Sequence, residues 1–415
     1  MLDINFIRQN PEQVKKGVAA KNVNPQLVDD FLVLDNEWRE LVKEIDDLRA
    51  KQNKLSEERK INEAKELKNK IQLLEDELRQ IEIKRNEILR QLPNLPFDDV
   101  PVGKNENDNI VLREVGEKPK FDFQPKDYLE LAEKLDLIDI ERASKVSGSR
   151  FGYIKNQAAL LEFALVQFAF EKLVKYGFTP VIPPVMIKEE MMEAMGYVDS
   201  EKDKEERYFF EKDKMYFVGT SEQSVGPMHS DEIFEEKDLP KRYAAFSTCF
   251  RREAGSYGKD TKGILRVHQF DKIEMFSFCH PEKSKEEHNL LVKIEEELMQ
   301  DLKLPYRLVH LCAGDISVPS AATYDIETWM PGQNQYRETH STSNCTDFQA
   351  RRLNIRYKSA ISNQQSAIKF VHTLNGTAFA VGRMLIAIIE NYQQKDGSIL
   401  VPEVFQKYLG FEKIC

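Results

Sequence analysis

Cys249-Phe250-Arg251-Arg252-Glu253, a polar loop from Ala254 to Gly263 with three glycines, and Arg266-Val267-His268-Gln269-Phe270-Asp271-Lys272-Ile273-Glu274 form the stretch that decides the fold. Two runs of strand character joined by such a loop predict a long-looped hairpin. Period-two alternation puts Arg266, His268, Phe270, Lys272 and Glu274 on one face of the second strand, and Arg251 and Glu253 on one face of the first. Such a row is costly to bury unless it is paired or liganded, so it is expected to line a pocket. Arginines, an aromatic plate and carboxylates suit an anionic, aromatic, amine-bearing ligand; a nucleotide plus an amino acid meets all three requirements. The alternative is an ordinary solvated antiparallel face.

Around the hairpin, strand-like runs occur at 242–252, 265–278, 324–330, 336–341 and 367–373, with helices near 284–302 and 378–393. Gln157 to Tyr176 is an apolar helix closed by Gly177, and it leads into the extended Phe178-Thr179-Pro180-Val181-Ile182-Pro183-Pro184, whose prolines suit a sheet edge or an interface. Strands with few helices interleaved favour an α+β fold, a mainly antiparallel sheet flanked by helices. No GxxxxGK[ST] and no strand-linked GxGxxG occurs, which leaves P-loop and dinucleotide chemistry without support.

The N-terminal part has a different rhythm. Phe31, Leu34, Trp38, Leu41, Ile45, Leu48 and Leu55 recur in steps of three and four, with Gln52 in the polar slot. Leu67, Ile71, Leu74, Leu78, Ile81, Ile88 and Leu92 follow, interrupted by Arg85. Two helices of about 30 residues folded into an antiparallel coiled-coil hairpin are expected. Pro93, Pro96 and Pro101 end it, giving an expected division into residues 1–104 and 105–415.

Lys plus Arg number 60 against 70 Asp plus Glu, a net charge of −10 over 415 residues. Taken whole, that charge speaks against a nucleic-acid partner, but residues 48–70 hold eight cations and four acids, net +4. No run approaches the ~18 apolar residues of a membrane span, and Met1 opens no charged-then-apolar leader. The five cysteines lack CxxC spacing, so neither a disulfide framework nor a zinc site is indicated, and a reducing cytoplasm is the expected compartment.

Cys249 to Ser256 with Arg266 to Phe270 resembles motif 2 of class II aminoacyl-tRNA synthetases in its seryl form. Gly177 to Pro184 resembles motif 1, Asn375 to Arg383 motif 3, Thr220-Ser221-Glu222 the seryl Thr-x-Glu loop, and Tyr336 to Ser341 with Ser343-Asn344 the Mg-ATP strand. The likeness runs from Leu2-Asp3-Ile4 to Val401-Pro402-Glu403 in the family's order.

The resemblance implies a homodimeric serine–tRNA ligase acting on L-serine, ATP with Mg²⁺, serine tRNA and selenocysteine tRNA, with no zinc. It assigns Arg251 to the α-phosphate and the serine carboxylate, Phe270 to adenine, and Arg383 to the γ-phosphate and the other face of the base. Glu253 and Arg266 join the ATP set. Glu274 and Thr220 would take the ammonium, Glu222 anchors that loop, and Asn375 and Thr377 would read the hydroxyl. Glu338 and Ser341 would hold Mg²⁺; three residues apart on one strand, they require a bulge between them. Asp325 and Glu327 are either supporting groups or plain surface residues. The N-terminal hairpin would grip the long variable arm of the tRNA through Arg49, Lys51, Lys54, Arg59, Lys60 and Lys65. Two rivals are a relative that loads a carrier protein, which would lack the helical arm, and a non-catalytic paralogue, which would have lost residues such as Arg251 and Glu274.

Overall fold

The computed structural model describes residues 1–254, 262–359 and 367–415, with Lys202 by its backbone only. Residues 255–261 of the expected hairpin loop, with Gly255 and Ser256 of the quoted motif, lie outside the described residues. The chain divides into two compact units, Met1–Leu95 and Pro96–Cys415.

The first unit opens with two short helices, Ile4–Gln9 and Pro11–Ala20, and continues as α1 (Gln26–Glu57) and α2 (Ile61–Gln91). A three-residue connection joins the long helices, with Arg59 in the left-handed region at φ 61°. Every expected seam position on both helices is buried or half-buried, as knobs facing a partner helix must be. The polar slots also find partners across the hairpin: Gln52 Nε2 donates to the Ala64 carbonyl at 3.3 Å. Arg85, the interruption in the second seam, ion-pairs at 2.7 Å with Asp35, which has no exposed side-chain surface. Arg8 pairs with the same carboxylate at 2.7 Å, and the Arg85 guanidinium lies over the Trp38 and Phe31 rings at 4.9 and 5.3 Å. Burial would raise the Asp35 carboxyl, but hydrogen bonds from Arg8 and Arg85 outweigh it and hold the group below its ordinary value.

In the second unit an eight-stranded sheet is built from β1 (Ile110–Val115), β2 (Thr179–Val181), β3 (Lys241–Phe250), β4 (Gln269–Cys279), β5 (Tyr306–His310), β6 (Ala322–Met330), β7 (Gln335–Asn344) and β8 (His372–Ala380). Their order across the sheet is β1-β5-β6-β7-β8-β4-β3-β2, antiparallel at every junction except the parallel β3–β2 pair. Pro180 sits in that short edge strand, where a missing N–H breaks no ladder. Helices α3 (Asn156–Lys175), α4 (Ser284–Asp301) and α5 (Val381–Asn391) pack on the sheet, and Leu165, Leu298 and Leu385 meet Ile273 and Met275 of β4 in the main core. α5 begins three residues later than its apolar pattern suggests, because Ala378 to Ala380 still belong to β8. Residues 96–104 pack with this unit: Phe97 N–H donates to the Ala321 carbonyl and Ala313 N–H to that of Pro101, both at 2.9 Å. Among the described residues no helix is long and apolar enough to cross a membrane.

Strand β4 separates core from site by parity alone. Its odd residues Ile273 and Met275 enter the main core, while Phe270, Lys272 and Glu274 face a cavity. Further along the same face, Phe276 and Phe278 join a second apolar cluster with Phe234 and Tyr357, which ends the polar stretch at Glu274.

Replacing Asp35 with Ala strands Arg85 without its counter-charge, a change that costs about 3–5 kcal/mol when the charge is buried. Amide hydrogen exchange in the full chain is expected to speed up by about a hundredfold or more in α1 and α2 around that position; unchanged protection would show that the ion cluster adds nothing to the hairpin.

Candidate active site

A cavity of about 550 Å³ is lined by Arg251, Glu253, Arg266, Phe270, Glu274, Thr220, Glu222, Glu338, Ser341, Asn375, Thr377 and Arg383. These are all the residues expected to bind nucleotide, amino acid or metal, and they come from five separate segments of the chain. Arg251 and Glu253 stand beyond the end of β3 and Arg266 before the start of β4, so loop geometry, not strand alternation, places them. His268 departs from the expected row: it precedes β4, lines a neighbouring hollow with Arg150, Tyr208 and Arg252, and bonds the Arg251 carbonyl through Nδ1 at 3.0 Å. Its part is to hold the Arg251 backbone.

Two irregularities aim the remaining side chains. Between β6 and β7 the register steps from Ile326–His340 to Glu327–Glu338, leaving Thr339 unpaired. This bulge brings Glu338 and Ser341 to the same cavity despite their three-residue spacing. Between β4 and β8 the register skips Ala378, so Ala378 and Phe379 both enter the core, while Thr377 before them and Ala380 after them face the cavity. Gly263 fixes the rim. At φ 75° it occupies a conformation that side chains resist, and a Cβ there would lie 1.8 Å from the Tyr128 hydroxyl, which accepts the Ile264 N–H at 2.9 Å.

The cavity has two electrostatic ends. At one, the Arg251 guanidinium lies 5.2 Å from the Phe270 ring centroid, Arg266 pairs with Glu253 at 2.8 Å, and Arg383 reaches Glu338 at 3.1 Å and its backbone carbonyl at 2.8 Å. Arg207, over the Tyr197 ring, is pushed down to about 10 by burial and then by Arg251. This concentration of cations around one aromatic plate suits polyphosphate and a base. At the other end Glu274 is 1% exposed, accepts from the Thr220 hydroxyl at 3.3 Å and is ion-paired to Lys272. Burial raises the Glu274 carboxyl and Lys272 opposes the rise. Glu222, 3% exposed, accepts from the Tyr197 hydroxyl; burial and then the Glu274 charge push it up to about 8, which favours its neutral form.

The lining residues without an expected role include Lys272, Gln223, Tyr197, Arg207 and Ser343. Lys272 was visible on the right strand face. Gln223 accepts the Gly219 N–H at 2.7 Å while Arg251 Nε donates to the Gly219 carbonyl at 3.1 Å, so both backbone groups of Gly219 are held by side chains. Tyr197 and Arg207 arrive from a distant helix–turn, and nothing in their local sequence marks them. Asp325 lies opposite Ser341 in the register, whereas Glu327 ion-pairs with Arg307. Among the described residues no three His, Cys, Asp or Glu gather as a metal-ligating group. On the hairpin, Arg49 pairs with Glu75 at 2.7 Å and Lys60 with Glu58 at 2.8 Å. Lys51, Lys54, Arg59 and Lys65 are exposed and make no ion pair among the described residues.

Residues 1–96 match the model of the seryl-tRNA synthetase N-terminal domain, and residues 208–392 that of the tRNA synthetase class II core domain (G, H, P, S and T). A serine–tRNA ligase of Dictyoglomus turgidum is 44% identical, covering 100% of this chain and 99% of its own. The chain belongs to the seryl-tRNA synthetase family. Its fold is that of the family throughout: the crystal structure of the Pyrococcus horikoshii seryl-tRNA synthetase complexed with ATP superposes with a TM-score of 0.93 at 41% identity, over 100% of this chain and 99% of that one. The cytoplasmic serine–tRNA ligase of Naegleria fowleri in complex with AMP gives 0.91 at 34%, over 100% and 98%.

The raised Glu222 carboxyl has a consequence for stability. Its pKa in the folded chain is above that of an unfolded glutamate, so its contribution is full below about pH 4 and is lost as the pH rises through about 8. Glu222→Gln, neutral throughout, is expected to lose less melting temperature than the parent between about pH 4 and 8; parallel profiles would contradict the raised buried carboxyl.

Proposed function

We propose that this protein is a serine–tRNA ligase which forms seryl-adenylate from L-serine and ATP and transfers the seryl group to the 3′ end of serine tRNA, and of selenocysteine tRNA. The observation that carries the proposal is the convergence of all twelve expected ligand residues on one cavity in a chain of this family.

The chemistry follows from the two ends. Phe270 and the Arg383 guanidinium would sandwich adenine, with Arg383 also meeting the γ-phosphate. Arg266 and Glu253, paired to each other, would border the nucleotide. Glu274 and Thr220 would hold the serine ammonium, while Asn375 and Thr377 receive its hydroxyl. Alanine would leave those two polar groups unmatched, which favours serine strongly. Arg251 would meet both the serine carboxylate and the α-phosphate as one carboxylate oxygen bonds to phosphorus and the bond to pyrophosphate breaks. The charge building on the phosphoryl oxygens is what a fixed guanidinium stabilises. No protein base is required, because the carboxylate is already ionised at neutral pH. The terminal ribose hydroxyl of the tRNA would then attack the seryl carbonyl and release AMP.

Glu338 and Ser341, brought to one cavity by the Thr339 bulge, offer hard oxygen donors that fit Mg²⁺. The ion would neutralise phosphate charge between them and the nucleotide. The hairpin tip would hold tRNA by backbone contacts, with Lys51, Lys54, Arg59 and Lys65 ready for phosphate and Arg49 and Lys60 needing to exchange partners. We assign a homodimer: Leu160, Phe163 and Val174 on α3 and Ile182 after β2 are large apolar side chains left more than half exposed beside the edge strand. The cytoplasm is the proposed location.

Amino-acid-dependent ATP–pyrophosphate exchange across an amino-acid panel, followed by charging of total tRNA, tests the proposal. Serine alone should drive exchange, and Glu274→Ala should abolish it in a protein that still folds. Reversing Lys51, Lys54, Arg59 and Lys65 to Glu should reduce tRNA charging by about a hundredfold or more with exchange intact. Exchange without charging would indicate a carrier-loading enzyme, and no exchange with any amino acid a binding module.

A further inference from the structure

Lys272 occupies the place that the proposed function gives to the substrate. Its ammonium is ion-paired to Glu274 Oε2 and lies 3.4 Å from the Thr220 hydroxyl oxygen, while that hydroxyl donates to the same carboxylate at 3.3 Å. A primary ammonium with three donors is therefore already seated on the two groups that would receive the ammonium of serine. The contact is enclosed: the Lys272 side chain is 11% exposed and that of Glu274 1%. The second carboxyl nearby, Glu222, is pushed toward its neutral form by burial and by the Glu274 charge. Glu274 then faces two ammonium groups as serine enters, and the two compete for the same acceptor oxygens and repel each other.

Lys272 has somewhere to go. It lines the same cavity as Glu338 and Arg383, and its charge is felt at Glu338, which places it within electrostatic reach of the phosphate end. Its flexible four-carbon stem lets the charge change partners without moving the strand.

We propose that Lys272 is a built-in stand-in for the substrate ammonium: it holds Glu274 and Thr220 while the amino-acid end is empty and transfers to nucleotide phosphate when that arrives. Nucleotide and serine then bind with positive coupling, each raising the affinity of the other by the same factor. The inference rests on the reading of Glu274 as the ammonium receptor.

Calorimetry on the full chain tests it. Serine is titrated alone and with saturating α,β-methylene-ATP, tripolyphosphate or adenosine. Phosphate charge should raise serine affinity about tenfold, with tripolyphosphate effective and adenosine without effect. Lys272→Met, which keeps the stem and removes the charge, and Lys272→Gln should each reduce the coupling to less than about twofold. Nucleotide-independent serine affinity in the parent, coupling produced equally by adenosine, or coupling that survives in either folded variant would overturn the proposal. The parent measurements decide the matter even where a variant fails to fold. Glu274→Gln separates the two levels: unaltered serine binding in that variant removes the ammonium reading itself, whereas lost serine binding there with no coupling in the parent removes only the role of Lys272.

Discussion

A charge taken out of water must meet an opposite charge or a ligand, and both units of this chain are organised by that requirement. In the helical hairpin the requirement is met internally. Asp35 and Arg85 sit among the seam residues, and Arg8 from the first short helix adds a second arginine. In the sheet unit it is met only in part. Arg207, Arg251, Arg266, Lys272 and Arg383 surround one cavity, with Glu253, Glu274 and Glu338 as partners and Glu222 pushed toward its neutral form by burial. Guanidinium groups ranged about an aromatic plate are a poor way to fill a core and a good way to receive a nucleotide. The same rule yields a structural contact in one unit and a receptive surface in the other.

The sheet supplies the positions, and its departures from regularity supply the aim. Strict alternation along β4 is enough to send Phe270, Lys272 and Glu274 to the cavity and Ile273 and Met275 to the core. Neighbouring strands could not contribute their groups by alternation alone. The unpaired Thr339 lets β7 present both Glu338 and Ser341, and the skipped Ala378 resets β8 between Thr377 and Ala380. An extra residue bends a strand and changes which face follows, so each bulge converts an ordinary ladder into part of a binding wall.

Much of this is legible in the sequence, for identifiable reasons. The coiled-coil seam is visible because its period is local, and the cavity face of β4 because a strand has period two. The need for a bulge between Glu338 and Ser341 follows from the same parity. His268 departs from the alternating row because residues 265–268 are not strand; regular pairing starts only at Gln269. Arg85 reads as a flaw in the seam until Asp35, fifty residues earlier, is seen beside it. Gln223, Tyr197 and Arg207 carry no local signal, since their proximity to Arg251 and Glu222 exists only after folding.

On the proposed function, one cavity receives amino acid and nucleotide together, with Glu274 at the amine end and Phe270 at the base end. A crystal structure with a non-hydrolysable seryl-adenylate analogue tests it most directly. The analogue's ammonium is expected on Glu274 and Thr220, its base between Phe270 and Arg383, its phosphoryl-like group at Arg251, and Lys272 withdrawn from Glu274. An analogue bound in the reverse sense, or outside this cavity, would contradict it.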